Sequence, residues 1–247
     1  MKVYEAETLQ SAMKQRANDY KSLREQFVSL KNAFQSVADL DEDFQGKGAD
    51  TIKAFYRDQS GIVDGWLDLT DMQIQFLDGI SNAVENAGLS GETFVDVQFL
   101  EQELVNVHTH SYNMVSAQKK ELKNILVKID DLISLEPFPA DEFKQQLNAA
   151  NQKRKDTIKA VGDLDELLKN EYGASEMAQQ MITADYSALI GATRQGKSSS
   201  PIRYNASAYQ KSEAYKLKKD VHQQVKGYMT YKKDQAEALT TAKEART

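Results

Sequence analysis

The chain is 247 residues long, carries a formal net charge of −6 and contains no cysteine, 3 prolines and 12 glycines. Disulfide and thiolate chemistry are thereby excluded, and no run of about 18 apolar residues is present to form a membrane-spanning helix. Few helix breakers, with much Ala, Gln, Lys, Glu and Leu, predict long helices in one large domain or two small ones.

The charge is uneven. Ten basic and five acidic residues lie between Arg203 and Thr247, so the remainder is strongly acidic and unsuited to nonspecific nucleic-acid binding. The first residues, MKVYEAETLQ, lack an apolar stretch and carry acids, which predicts no cleavable signal peptide.

In chain order, the first segment carries apolar residues at alternating steps of four and three: Leu9, Met13, Tyr20, Leu23, Phe27, Leu30, Phe34 and Val37. Arg16 breaks this seam, and its neighbour Ala17 softens the break. The pattern predicts a helix of about 35 residues with a coiled-coil-like stripe, too long to bury that stripe by itself. Phe44 to Tyr56 (FQGKGADTIKAFY) follows, where Gly46 and Gly48 predict a bend and a new helix from about Ala49.

The second helix presents Ile52, Phe55, Ile62, Trp66, Leu69, Phe76, Ile80 and Ala83 on one face and ends near Gly88. Gly61, Gly65 and Gly79 inside it predict close helix approach, since glycine costs about 1 kcal/mol against Ala in a helix. A third helix is expected from about Thr93 to Ser134, although Phe94 to Val97 alternates like a strand. Pro137 and Pro139 break the chain. Asp141 caps a fourth helix ending at Gly173, and Ser175 to Thr193 forms a fifth. Residues 195–201 (QGKSSSP) read as a linker, and Ala206 to Arg246 as a weakly amphipathic connector helix. No strand pair is convincing. The expected fold is all-α, an elongated bundle of long antiparallel helices opening with an N-terminal helical hairpin. The expected domains are 1–195 and a linker with trailing helix over 196–247.

Several motifs carry candidate chemistry. Gly191 to Ser198 matches the phosphate-binding pattern GxxxxGK[ST], with Gly196 and Lys197 as its core. That chemistry needs a strand before the loop and a helix after it, and neither is predicted here. Asp39, Asp41, Asp43 and Asp50 imitate a calcium loop, yet Phe44 stands where such a loop needs glycine. His108 and His110 lie two apart on a predicted helix, on different faces, and His222 is distant, so no metal site is expected. Trp66 reads as a packing residue before it reads as a partner anchor. Tyr204, Tyr209, Tyr215, Tyr228 and Tyr231 interleave with Lys211, Lys216, Lys218, Lys219, Lys226, Lys232 and Lys233. That pattern can bind single-stranded nucleic acid but is more commonly an exposed helix with half-buried tyrosines. No catalytic constellation and no cofactor site emerge.

The residues Phe44-Gln45-Gly46 resemble the hydrophobic-x-Gly element of the LXG-domain polymorphic toxins of Gram-positive bacteria, with Phe in place of Leu. The resemblance continues through Ile52, Phe55, Tyr56, Trp66, Phe99-Leu100-Glu101 and Ser200-Pro201-Ile202-Arg203-Tyr204, and covers nearly the whole chain. It implies a hairpin like that of the WXG100 secretion proteins, turning at Phe44, Gly46 and Gly48. It further implies an N-terminal targeting and partner-binding domain, exported by the type VII (ESX-like) secretion system without a cleavable signal. The partners so implied are small helical-hairpin targeting or chaperone proteins and the secretion machinery.

In that family the toxic activity, often a nuclease, belongs to a C-terminal domain neutralised by an immunity protein. The polar helix before Thr247 is what a chain continuing into such a domain leads one to expect. Leu9, Met13, Tyr20, Leu23 and Phe27 are the candidate partner-binding face. Tyr172 with Glu176, and Tyr209 with Glu213, fit the Tyr-x-x-x-Asp/Glu export signal of the WXG100 system. The residues alone also admit a self-contained structural coiled coil, or a P-loop nucleotide-binding protein.

Overall fold

The computed structural model describes residues 2–40, 42, 44–195 and 198–245, and it is an all-α helical bundle. Helix α1 spans Ala6–Ala38, α2 Lys47–Asn86, α3 Leu104–Leu126, α4 Asp141–Gly173, α5 Glu176–Gly191, α6 Ala206–Gln210 and α7 Glu213–Glu244. Two small antiparallel strand pairs depart from the expectation of none: β1 (Val3–Glu5) with β2 (Phe94–Asp96), and β3 (Arg194–Gln195) with β4 (Ser198–Ser199). The alternation at Phe94 to Val97 is therefore a strand, and the third helix begins later, through a π-helical turn at Phe99–Glu103. It ends in a 3-10 turn at Val127–Ile129. The chain divides into two compact units, one containing residues up to Leu9 with Ala83–Glu166, the other Gln10–Asn82 with Leu167 onward.

In the first unit, the end of α2 is closed by a pair of bonds around Gly88, whose φ is 68°. Leu89 N–H reaches Val84 O at 3.1 Å and Gly88 N–H reaches Glu85 O at 2.9 Å, the arrangement glycine permits at a helix C-terminus. Tyr4 of β1 is buried opposite Val95 and donates its hydroxyl to Leu89 O at 2.8 Å, tying the strand to that helix end. Arg154 of α4 donates to the Leu100 carbonyl in the π-turn at 2.9 Å. Lys144 of α4 lies over the Tyr112 ring of α3 at 4.7 Å. Helix α3 itself has no buried residue. The segment after it, 130–140, has no regular structure and exposes Leu132, Ile133 and Leu135.

The second unit holds the denser core. Phe55, Ile62, Leu189, Tyr204 and Tyr209 form one buried cluster, and Leu69, Met72, Ala178, Ile182 and Val225 another. Both draw on α2, α5 and the segment after residue 200. The connector reading of Ala206 to Arg246 is thus corrected: Tyr209 is fully buried and Val225 nearly so. Its inward face mixes tyrosines and a lysine stem with a few apolar residues such as Val221 and Val225, which hid it from a hydrophobicity pattern.

The glycines of α2 mark close approach, as expected. A Cβ at Gly65 would lie 3.2 Å from Ile182 Cγ1, and one at Gly79 would lie 2.7 Å from Lys232 Nζ.

Candidate functional site

The hairpin turn follows from one backbone requirement. Gly46 has φ 98°, outside the range L side chains adopt readily, while nothing lies within 4 Å of a Cβ placed there. Its carbonyl accepts the Asp50 N–H at 2.9 Å and so begins α2. Gly48 serves differently: Ile202 Cδ1 sits 3.3 Å from where its Cβ would be. Phe44 is half-buried. The segment containing Ile202 continues into Tyr204, whose ring packs edge-on against Phe55 at 5.5 Å and whose hydroxyl donates to Asp58 at 2.6 Å. Three stretches far apart in sequence, at the turn, at Phe55-Tyr56 and at Ser200 to Tyr204, thus meet at one place.

From the turn, α1 and α2 run back antiparallel in matched register. Lys31 pairs with Asp64 at 2.6 Å, Arg24 with Asp71 at 2.5 Å and Lys21 with Asp78 at 3.0 Å. Phe27 stacks on Trp66 with centroids 5.6 Å apart, and Phe34 meets Tyr56 at 5.6 Å. These partly exposed ion pairs set register more than stability, at roughly 0–1 kcal/mol each. Trp66 is a packing residue with an open edge, 39% exposed.

The stripe of α1 is covered on one side only. Leu9, Met13, Tyr20, Phe27, Phe34 and Val37 are half-buried, while Leu23, Val28 and Leu30 are exposed. Only Ala6, Ala17 and Ala38 are buried on this helix. At the break in the seam, Ala17 rather than Arg16 takes the inward position.

A cavity of about 900 Å³ opens among α2, α5 and α7 in the same unit. Its carboxylates all have partners. Asp185 accepts from Tyr209 at 2.7 Å and pairs with Lys218 at 3.1 Å, Asp68 faces His222, and Asp71, Asp64 and Asp58 are held as described above. Burial raises the Asp68 carboxyl above the usual carboxylate range, a shift that its hydrogen bond to His222 opposes. Burial first, and then the facing carboxylates, raise the phenols of Tyr204, Tyr209 and Tyr228. Tyr228 donates to Glu171 at 2.9 Å, and the buried Lys232 pairs with the same carboxylate at 2.6 Å. This arrangement latches α7 to its neighbours, since each acid is already satisfied by a cation or hydroxyl.

Residues 2–202 match the family model described as the LXG domain of the WXG superfamily. The chain belongs to the LXG-domain family. The toxin YwqJ of Bacillus subtilis (strain 168) is 41% identical over 237 residues, which amount to 96% of this chain and 39% of that protein. The LXG chain therefore spans about two fifths of the length of that curated relative.

The remaining sequence motifs of this LXG chain fall as follows. Gly191 of the GxxxxGK[ST] match closes helix α5, so a helix stands where a P-loop requires a strand. Gly196 and Lys197 lie outside the described residues, as do Asp41 and Asp43 of the calcium-like spacing. Asp39 is exposed beyond α1, and Asp50 is in the first turn of α2. On α3, His108 is half-buried with no hydrogen-bond partner for its Nε2 among the described residues, whereas His110 is exposed.

Of the two candidate export signals, Tyr209 is buried with its hydroxyl on Asp185, and Tyr172 is 47% exposed at the end of α4. Part of the basic and aromatic tail is turned into the fold, while Lys211, Lys219, Lys226 and Tyr231 are exposed. Tyr204 and Tyr209 point inward, and Lys218 and Lys232 are paired with Asp185 and Glu171. Sequence reasoning missed the latch of α7. For the hairpin a signal was available, because Arg24 and Lys31 are seven residues apart, as are their partners Asp71 and Asp64.

Proposed function

We propose that this chain is the N-terminal targeting and partner-binding domain of an LXG toxin exported by a type VII secretion system. The toxic activity, a nuclease in one version of this reading, belongs to a C-terminal domain and is neutralised by a cognate immunity protein. Family membership and the kinship to toxin YwqJ support this role, and the chain accounts for 39% of that relative's length. The observation that carries it is the α1 stripe, half-covered by α2 and open at Leu23, Val28 and Leu30. A helical hairpin laid along this stripe completes its burial, with Leu9, Met13, Tyr20, Leu23 and Phe27 as the proposed anchors. Phe27 has a second duty, because its ring already packs on Trp66.

The test is to sequence the genes beside this one, co-express any small helical-hairpin proteins they encode with this chain, and co-purify. Leu23→Glu with Leu30→Glu is expected to abolish capture while the far-ultraviolet circular dichroism stays unchanged, since both side chains are exposed. Capture that survives this double substitution moves the partner site elsewhere. Loss of helicity instead shows that the stripe is core.

A further inference from the structure

We infer that this chain self-associates through the outer face of α3, as a two-fold antiparallel pair with a second copy of itself. The inference stands apart from the partner proposed for α1 and involves different residues. Helix α3 has one face turned toward α4, marked by the Lys144–Tyr112 contact. On the opposite side Val107, Met114 and Ile125 are 57%, 45% and 53% exposed. Their spacings of seven and eleven residues place them within about 20° of one line along the helix. This is a seam that no part of the described chain covers.

The charges on this seam identify the occupant. Glu103 lies at its beginning, His110 and Glu121 flank its middle, Lys128 lies at its end, and all four are exposed. None of Glu103, Glu121 and Lys128 takes part in an ion pair among the described residues. Laid antiparallel on a copy of itself, with the axis near Ser116, the seam sets Val107 against Ile125 and Met114 against Gln118. The same register brings Glu103 within one residue of Lys128, and His110 within one residue of Glu121. The facing pairs are then apolar (Val107 with Ile125), apolar with an uncharged amide (Met114 with Gln118), acid with base, or carboxylate with imidazole. A parallel pairing instead stacks Glu103 on Glu103, Glu121 on Glu121 and Lys128 on Lys128, which repels along the whole length. An isologous interface needs one patch complementary to itself under a two-fold rotation, and this patch meets that condition.

The experiment is sedimentation velocity on the 247-residue chain over a range up to about 100 µM, where a modest interface is populated. A reversible dimer is expected, with Met114→Glu raising its dissociation constant at least about tenfold. Glu103→Lys and Lys128→Glu are each expected to weaken the dimer. The double variant Glu103→Lys/Lys128→Glu, and equally an equimolar mixture of the two single variants, is expected to restore it. A chain that stays monomeric throughout this range overturns the inference and leaves the seam to a different protein. A dimer indifferent to Met114→Glu, or one not restored by the paired charge reversal, overturns it as well. Since these side chains are exposed, partner capture by α1 is expected to persist in all of the variants, so failure here is separable from failure of the targeting role.

Discussion

Helices α2 and α3 are both long and both carry apolar residues at helical spacing, but their surroundings differ completely. Along α2, Phe55, Ile62, Leu69, Met72, Ile74, Leu77 and Ile80 are all buried; along α3 no residue is. Hydrophobic content does not explain the contrast. Neighbours do: within its unit α2 is approached by α1, α5 and α7, and small residues let those helices come close. Ile182 of α5 fits at Gly65, while Lys218 and Lys232 of α7 reach Gly61 and Gly79. Helix α3 meets α4 on one side and nothing described on the other. An apolar pattern therefore specifies a helix and a preferred face. Whether that face becomes core depends on how many elements the chain can bring against it.

The largest expected effect tests this contrast directly. Tyr209 is fully buried, meets Tyr215 edge-on at 5.1 Å and donates to Asp185. Tyr209→Ala is expected to cost about 3–5 kcal/mol, by loss of packing and by leaving a buried carboxylate short of a donor. Ile125→Ala on the open side of α3 is expected to change monomer stability by less than about 0.5 kcal/mol. Urea unfolding at a concentration where any dimer is dissociated measures both, and equal costs break the comparison.

The enclosed region is also expected to be sensitive to alkali. Tyr204, Tyr209 and Tyr228 have phenols raised above their ordinary value, chiefly by burial. In the unfolded chain they ionise near pH 10 and release protons that the folded chain retains. The unfolded state then binds fewer protons, so stability is full below about pH 10 and falls above it. Each such tyrosine is expected to withdraw about 1.4 kcal/mol by about pH 11. Denaturation series from neutral to alkaline pH check this. Tyr204→Phe with Tyr228→Phe is expected to flatten the decline, and an unchanged slope shows that the phenols titrate normally.

How much of this was legible in the sequence depended on the range of the interaction. The seam of α1, the bend at Gly46, the α4 start at Asp141 and its end at Gly173 are local, set by periodicity and backbone freedom, and all could be read directly. The β1–β2 pair could not be, because three-residue strands carry little pattern and their partners lie some ninety positions apart. The inward face of the last two helices was missed for another reason: it buries Tyr209 of α6 with Val225 and Lys232 of α7, a mixture that no apolar scale recognises. Of the candidate site, the turn residues and the stripe were legible. The meeting of the turn with Ile202 and Tyr204 required the fold, as did the discovery that α2 covers only one side of that stripe.

Glycine makes the finest distinction between the enclosed and open regions, because the same substitution is expected to change sign. At Gly65 an added methyl meets Ile182 Cγ1 at 3.2 Å, and Ile182 is itself buried in the cluster with Leu69 and Met72. The side chain has little room to retreat, so Gly65→Ala is expected to destabilise by about 1–2 kcal/mol despite its better helix propensity. Gly162 lies inside α4, with a φ that any residue adopts and nothing within 4 Å of a new Cβ. There only the unfolded-chain entropy and the propensity change, and Gly162→Ala is expected to stabilise by about 0.5–1 kcal/mol. Paired melting curves measure the difference. If Gly65→Ala also stabilises, Ile182 can shift at little cost, and the glycines of α2 are not what allows its neighbours to approach. If Gly162→Ala destabilises, α4 has a neighbour at that position, and the first unit is more closely covered than its exposed side chains indicate.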